Sequence, residues 1–284
     1  MSDWGAYLVL FAVGCIAGLL NVIAGGGSFL TLPVLIFLGL PATLANGTNR
    51  IAIFLQNVGA VWGFHRYKVL EWSSALWAAV PATLGAVLGT WAALVISDEA
   101  FQKILAFLMI AVTLWTLWDP LKKAPAGTAA RSHPELLPPE TSASKAAIEP
   151  NSVSPGYRSE ASPSAAPSRV LLGLAFFLVG IYGGFVQAGV GFMILAVTTM
   201  AGLDLVRGNG VKVLSILVFT FVSLGIFAWE GEVNWPLGLV LAGGSVVGGL
   251  IGVRLTVLKG HAWVKAVVTT AVIVLAIKLW LTGS

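Results

Sequence analysis

The chain repeats itself. Gly26 recurs as Gly189, Phe29 as Phe192, Gly39-Leu40 as Gly202-Leu203 and Asn46-Gly47 as Asn209-Gly210, always 163 positions apart. Trp72, Gly85 and Gly89 recur as Trp235, Gly248 and Gly252 at the same offset, so the match contains no gap. Both copies are strongly apolar. An apolar chain made of two copies of one unit has the layout of many secondary transporters. The matched positions are mostly Gly, Asn and Trp. Such residues mark close backbone approach, polar sites and membrane interfaces rather than bulk hydrophobicity.

Of the 284 residues, 57% are hydrophobic and 10% charged, against about 25% charged in an ordinary soluble domain. Too little polar material remains to cover a globule of this size in water. The net charge of +4 is scattered and forms no basic stripe, so no nucleic-acid partner is expected. Cys15 is the one cysteine, which excludes an internal disulfide and a cysteine-based metal cluster; it reads as a small apolar helix residue. The N-terminal apolar run is preceded by Asp3 and by no Lys or Arg, unlike a cleaved signal. Residues 6–24 therefore read as a retained first helix.

Ten apolar segments follow, five per copy: 5–24, 29–40, 44–64, 72–96 and 101–118, then 170–188, 190–203, 207–229, 235–258 and 263–282. Eight reach the roughly 18–20 residues that cross the hydrocarbon. The second and seventh do not; residues 29–40 as a helix span only about 18 Å. Short, glycine-interrupted segments at corresponding places in two repeats point to a transporter's binding site. Trp4, Trp62, Trp72, Trp115, Trp118, Trp229, Trp235, Trp263 and Trp280 fall near segment ends, as an aromatic belt requires. Residues 119–169 are rich in Pro, Ala and Ser and read as a disordered linker between a first repeat (1–118) and a second (170–284).

Loop charge sets the expected orientation. His65, Arg66 and Lys68 share one loop and the linker holds several more cations, so both are expected in the cytoplasm, while Asp98 and Glu99 face outward. In the second copy the signs swap: Glu230 and Glu232 occupy the loop equivalent to 65–71, and Lys259, His261 and Lys265 the one equivalent to 97–103. Each short segment must then add a crossing. The fold class expected is an all-α polytopic membrane protein of two inverted repeats, with eight long transmembrane helices, two short broken segments and both termini periplasmic.

Two clusters could carry chemistry. The first is the break Gly25-Gly26-Gly27-Ser28, mirrored by Gln187, Gly189 and Gly191. Consecutive glycines interrupt a helix, and their bare N–H groups beside a new helix start form an anion-binding corner. The alternative use of such glycines is tight helix packing. The second cluster is Asn46-Gly47-Thr48-Asn49-Arg50, mirrored by Asn209-Gly210-Val211-Lys212. Asn46 and Asn209 sit where a helix N-cap is expected. Arg50 and Lys212 lie about one turn into long apolar helices, where a cation is costly and marks function, and near a helix N-terminus they also oppose the macrodipole. An anion between them would offset that cost; snorkelling to the headgroups is the alternative. Gln56 and Asn57 could face the same space or join helices. The three histidines have no ligand-spaced partners, and no phosphate-cradling loop is present, so no metal, cofactor or catalysis is expected.

The run G-L-L-N-V-I-A-G-G-G-S-F-L-T-L-P-V-L from Gly18 resembles the sulfite exporter TauE/SafE family, as does L-G-L-P-A-T-L-A-N-G-T-N-R from Leu38. The mirrored G-N-G-V-K and the stretch from Asn234 fit that family's second half. The resemblance covers nearly all of the chain except 119–169 and implies a bacterial inner-membrane permease for small sulfur-containing or carboxylate anions such as sulfite or sulfonates. Two departures stand out: the long linker, and Val211 in place of Thr48, which removes a hydroxyl. The partners expected are a small anion and the lipid bilayer, and a homo-oligomer is compatible with the reading. An anion channel and an intramembrane enzyme remain alternatives.

Overall fold

The computed structural model describes residues 3–23, 25–107 and 168–282, with side chains up to residue 258. Every regular element among them is helical. The order is α1 (Asp3–Ile23), α2 (Ser28–Phe37), α3 (Ala42–Arg66), α4 (Trp72–Val95), α5 (described over 98–107), α6 (Arg169–Phe185), α7 (Val190–Met200), α8 (Leu205–Trp229) and α9 (Trp235–Thr282). Four helices among the described residues are long and apolar enough to cross a membrane: Trp4–Ile23, Trp72–Val95, Leu205–Trp229 and Trp235–Leu258. The 25-residue α3 has the length, but Asn46, Thr48, Asn49, Arg50, Gln56 and Asn57 lower its apolarity. The 17-residue α6 is short, and α2 and α7 have 10 and 11 residues, as the glycine breaks led one to expect.

Two boundaries differ from expectation. The segments 235–258 and 263–282 form one 48-residue helix, because L-K-G-H-A-W holds no proline and only one glycine, which costs about 1 kcal/mol. The linker's expected end falls inside α6, which begins at Arg169 and is capped by Ser168, whose Oγ accepts from Leu171 N at 3.2 Å. Residues 119–167, Trp115, Trp118 and His133, and the side chains of Lys259, His261, Trp263, Lys265, Lys278 and Trp280, lie outside what is described.

Glycines set how the helices pack. Gly14 and Gly18 of α1 lie against Leu241 and Ser245 of α9, and Gly244 and Gly248 return the contact at Phe11 and Cys15. The counterparts do the same: Gly85 and Gly89 of α4 meet Phe177 and Ile181 of α6, while Gly180 and Gly184 meet Ala82 and Ala86. A Cβ at any of these would enter the facing backbone, the small-residue packing that lets apolar helices touch closely. Since α1 corresponds to α6 and α4 to α9, each copy's first helix packs along the other copy's fourth, in the same direction. The helix α3 runs parallel to α9, with Ile51 beside Gly238, Gln56 beside Gly249 and Gly63 beside Val253. Its own counterpart α8 runs against it. Gly47, near the start of α3, meets Glu232 just past α8, and Gly210, near the start of α8, meets Leu70 just past α3.

Candidate functional site

The two backbone breaks meet. Gly25 adopts φ +92° and Gly189 φ +79°, conformations that L side chains rarely take. Gly25 and Gly191 are in backbone contact, so neither tolerates a Cβ. Around that contact the copies exchange aromatic rings. A Cβ on Gly26 would stand 2.8 Å from the Phe192 ring, and one on Gly189 2.7 Å from the Phe29 ring. Gly26 corresponds to Gly189 and Phe29 to Phe192, so the contact is self-complementary, as at a two-fold interface. Gly27 is the N-cap of α2 and packs on Ala17 of α1. Ser28 opens α2, and its buried Oγ has no partner among the described residues.

Arg50 and Lys212 are both fully buried. Each is held by the end of a helix from the other copy. The guanidinium of Arg50 donates to Gly183 O at 3.4 Å and to Gly184 O, in the last turn of α6. The Lys212 ammonium donates to Val22 O at 2.6 Å and Asn21 O at 3.1 Å, in the last turn of α1. The sequence placed both cations near their own helix starts, opposed by the dipole. They lie instead well inside α3 and α8 and satisfy the carbonyl ends of α6 and α1, where a helix dipole favours positive charge. No carboxylate lies within salt-bridge distance of either among the described residues.

The asparagines are not caps. Pro41 is the N-cap of α3, and Asp98 serves its first turn by accepting from Thr43 N and Thr43 Oγ1, both at 2.8 Å. Asp204 caps α8, accepting from Val206 N at 2.9 Å and Arg207 N at 3.1 Å. Asn46 is buried and donates to Phe185 O at 2.9 Å, leaving its Oδ1 unpartnered. Asn209 is buried with neither side-chain atom partnered among the described residues. Asn49 accepts from Thr31 Oγ1 at 2.7 Å, and its Nδ2 is open. Gln187 donates to Thr220 Oγ1 with its Oε1 open. Thr48 turns elsewhere: its Oγ1 accepts from Asn234 N at 2.9 Å, at the start of α9.

The predicted residues thus fall into two groups. Gly25, Gly191 and Lys212 lie together, the lysine Cδ 3.1 Å from where a Gly191 Cβ would be. Arg50 and Asn46 gather at the end of α6, beside Thr90, which donates to Gly184 O at 3.2 Å and accepts from the Ser223 hydroxyl at 2.8 Å. Gln56 accepts from Asn21 Nδ2 at 3.4 Å, joining α3 to α1, whereas Asn57 donates to Ile53 O at 2.7 Å within its own helix. Sequence reasoning gave no role to Phe227, whose ring centroid lies 4.8 Å from Arg50 Cζ. Its match to Phe64 at the same 163-residue offset was the available signal. A cavity of about 440 Å³ opens at the start of α3, away from the glycine contact, lined by Thr43, Leu44, Leu94, Ile96, Asp98 and Glu232 among others.

A family model described as Sulfite exporter TauE/SafE matches residues 10–279. A probable membrane transporter protein of Haemophilus influenzae is 26% identical over 262 residues, covering 92% of this chain and 89% of that one. Probable membrane transporter protein ORF9 of Sinorhizobium sp is 25% identical over 98% of this chain and 95% of its own. Probable membrane transporter protein YfcA of Escherichia coli K12 is 26% identical, covering 95% and 88%. No solved structure matches the chain significantly.

Proposed function

The chain belongs to the sulfite exporter TauE/SafE family of membrane transporters, and from that premise we propose that it carries a small anion, sulfur-containing such as sulfite or a sulfonate, between its two glycine breaks. The observation behind this reading is the pair of buried cations, Arg50 and Lys212, without a carboxylate in reach among the described residues. A helix C-terminus supplies only about half a negative charge. Two cations on two helix ends therefore leave about one positive charge uncompensated in a low-dielectric interior. A bound anion neutralises it. Donors that have no described partner, Ser28 Oγ, Asn49 Nδ2, Asn209 Nδ2 and Arg50 Nε, suit the several oxygens of such an anion.

In this reading the copies are inverted repeats in a bacterial inner membrane. Supporting it, α3 runs against its counterpart α8, and α1 runs with α3 through their common partner α9, so the short α2 turns the chain back. Asp98 and Glu232 line one cavity, so the acidic loops of the two copies share a face. That face is outward by the positive-inside rule, which leaves residues 119–169 cytoplasmic as the linker and the N-terminus periplasmic, while the unbroken α9, starting at the outward face, carries the chain end to the other side in place of the expected periplasmic C-terminus. Alternating access would come from one repeat rocking against the other.

The test is a thermal-shift screen of the detergent-purified protein against sulfite, sulfate, thiosulfate, taurine, sulfoacetate and short carboxylates. Uptake of the stabilising anion is then measured in proteoliposomes. At least one anion is expected to raise the unfolding temperature and to be transported saturably. Stabilisation by none, with no uptake of any, overturns the reading.

A further inference from the structure

We infer that Phe227 is the gate between the 440 Å³ cavity and the Arg50 guanidinium, so that this cavity is the mouth of the anion's path. The inference rests on the anion-carrier reading above. One face of α3 carries the argument. Thr43 and Leu44 line the cavity, Gly47 follows one turn later, and Arg50 one turn after that. Residues spaced by three and four share a helix face. The Phe227 ring fills the middle step. A Cβ on Gly47 would stand 2.9 Å from Phe227 Cδ1 and would collide with the Glu232 carbonyl, so the helix is bare where ring and loop press on it. Phe227 is also tied to the cavity wall through its backbone, its carbonyl accepting from Glu232 N at 2.9 Å. The ring therefore contacts both Gly47, one turn past the cavity wall, and the Arg50 guanidinium.

The chemistry fits a gate. A ring face holds a guanidinium by its quadrupole alone, whereas an anion forms charge-assisted hydrogen bonds to the same group. An arriving anion can therefore displace the ring. Arg50 keeps its grip on Gly183 and Gly184, while its buried Nε has no described partner. The matching ring, Phe64, is fully buried near the end of α3, at the opposite end of the antiparallel α3–α8 pair. It gives an internal comparison, since it does not lie between the cavity and Arg50.

The test labels a buried cysteine on α3 beside Gly47, the residue the ring covers. Asn46→Cys is made in a Cys15→Ala background, and intact cells or spheroplasts are exposed to a membrane-impermeant anionic methanethiosulfonate. Phe227→Ala is expected to raise the labelling rate at least tenfold from the cavity face. Phe227→Leu, which keeps the apolar bulk, should give a smaller increase, and Phe64→Ala none from that face. Equal rates with and without the Phe227 ring, in protein that elutes as a single species, overturn the gate. So does an equal increase from Phe64→Ala. These rates are read without substrate, so they stand apart from the carrier reading, whose own failure is the absence of anion binding and uptake.

Discussion

Replacing Lys212 with methionine separates the cation's part in holding α1 from its part in binding an anion. The substitution keeps most of the volume beside Gly191 and deletes only the ammonium. Two charge-assisted hydrogen bonds to Asn21 O and Val22 O are lost, each worth about 1.5–3 kcal/mol. Against that, an ion no longer has to be stripped of water, which costs several kcal/mol per charge. These terms nearly cancel, so the stability change should stay within about 2 kcal/mol, roughly 4–8 °C in the unfolding midpoint. The anion fares differently. Arg50 alone against two helix ends leaves a net charge of about zero. Truncating one partner of a buried charge pair costs about 2–5 kcal/mol, which is roughly 30- to 4000-fold in Kd. The assay is the anion-induced thermal shift titrated to saturation, with counterflow in proteoliposomes as the transport readout. Arg50→Gln should behave alike. Parent-like affinity and counterflow in both variants, with both proteins folded, would refute the charge argument.

Other outcomes follow from the same geometry. Gly25→Ala and Gly191→Ala each push a Cβ into the other glycine's backbone and should cost more than about 3 kcal/mol, seen as lost monodisperse protein in detergent. Gly39→Ala and Gly202→Ala also change positive-φ residues but meet nothing within 4 Å; their stability should fall by only about 1 kcal/mol, read from the unfolding midpoint. Asp98→Ala removes the acceptor for Thr43 N and Oγ1 and should cost about 1–2 kcal/mol, whereas Asp98→Asn retains an acceptor and should recover most of it. Phe29→Ala and Phe192→Ala are expected to couple by about 0.5–3 kcal/mol in a double-mutant cycle of thermal stability, because each ring packs on the partner copy's break; simple additivity would contradict that packing.

The repeat and the glycine runs made the breaks legible in the sequence, since a 163-residue offset and an interrupted apolar segment depend only on residue order. The starts of α2 and α7, within a residue or two of those read from the chain, follow from that. The identities of Arg50 and Lys212 as the buried cations were also legible, because a charge inside an apolar run has few places to go. Their setting was not. In the register of the repeat Lys212 matches Asn49, and Arg50 matches Val213. Only the crossing of helices shows that both end at the carbonyl terminus of the other copy's first helix. The cap assignment for Asn46 and Asn209 missed for a related reason. Asp98 reaches the first turn of α3 from a distant loop, and Asp204 starts α8 earlier than the apolar pattern suggests. The continuity of α9 through residues 259–262 ran against a loop assignment made from charge, since a charged stretch is no obstacle to a helix.

Residue order by itself determined an apolar, doubled chain with a weak point in each half and two cations where lipid would reject them. Those properties are local, set by side-chain chemistry and spacing. Tertiary packing alone decided that the weak points touch, through Gly25 and Gly191, and that each cation closes a helix from the opposite half. A glycine contact between backbones and a hydrogen bond to a main-chain carbonyl leave no pattern in the partner's side chains, so neither can be read before the two halves are brought together.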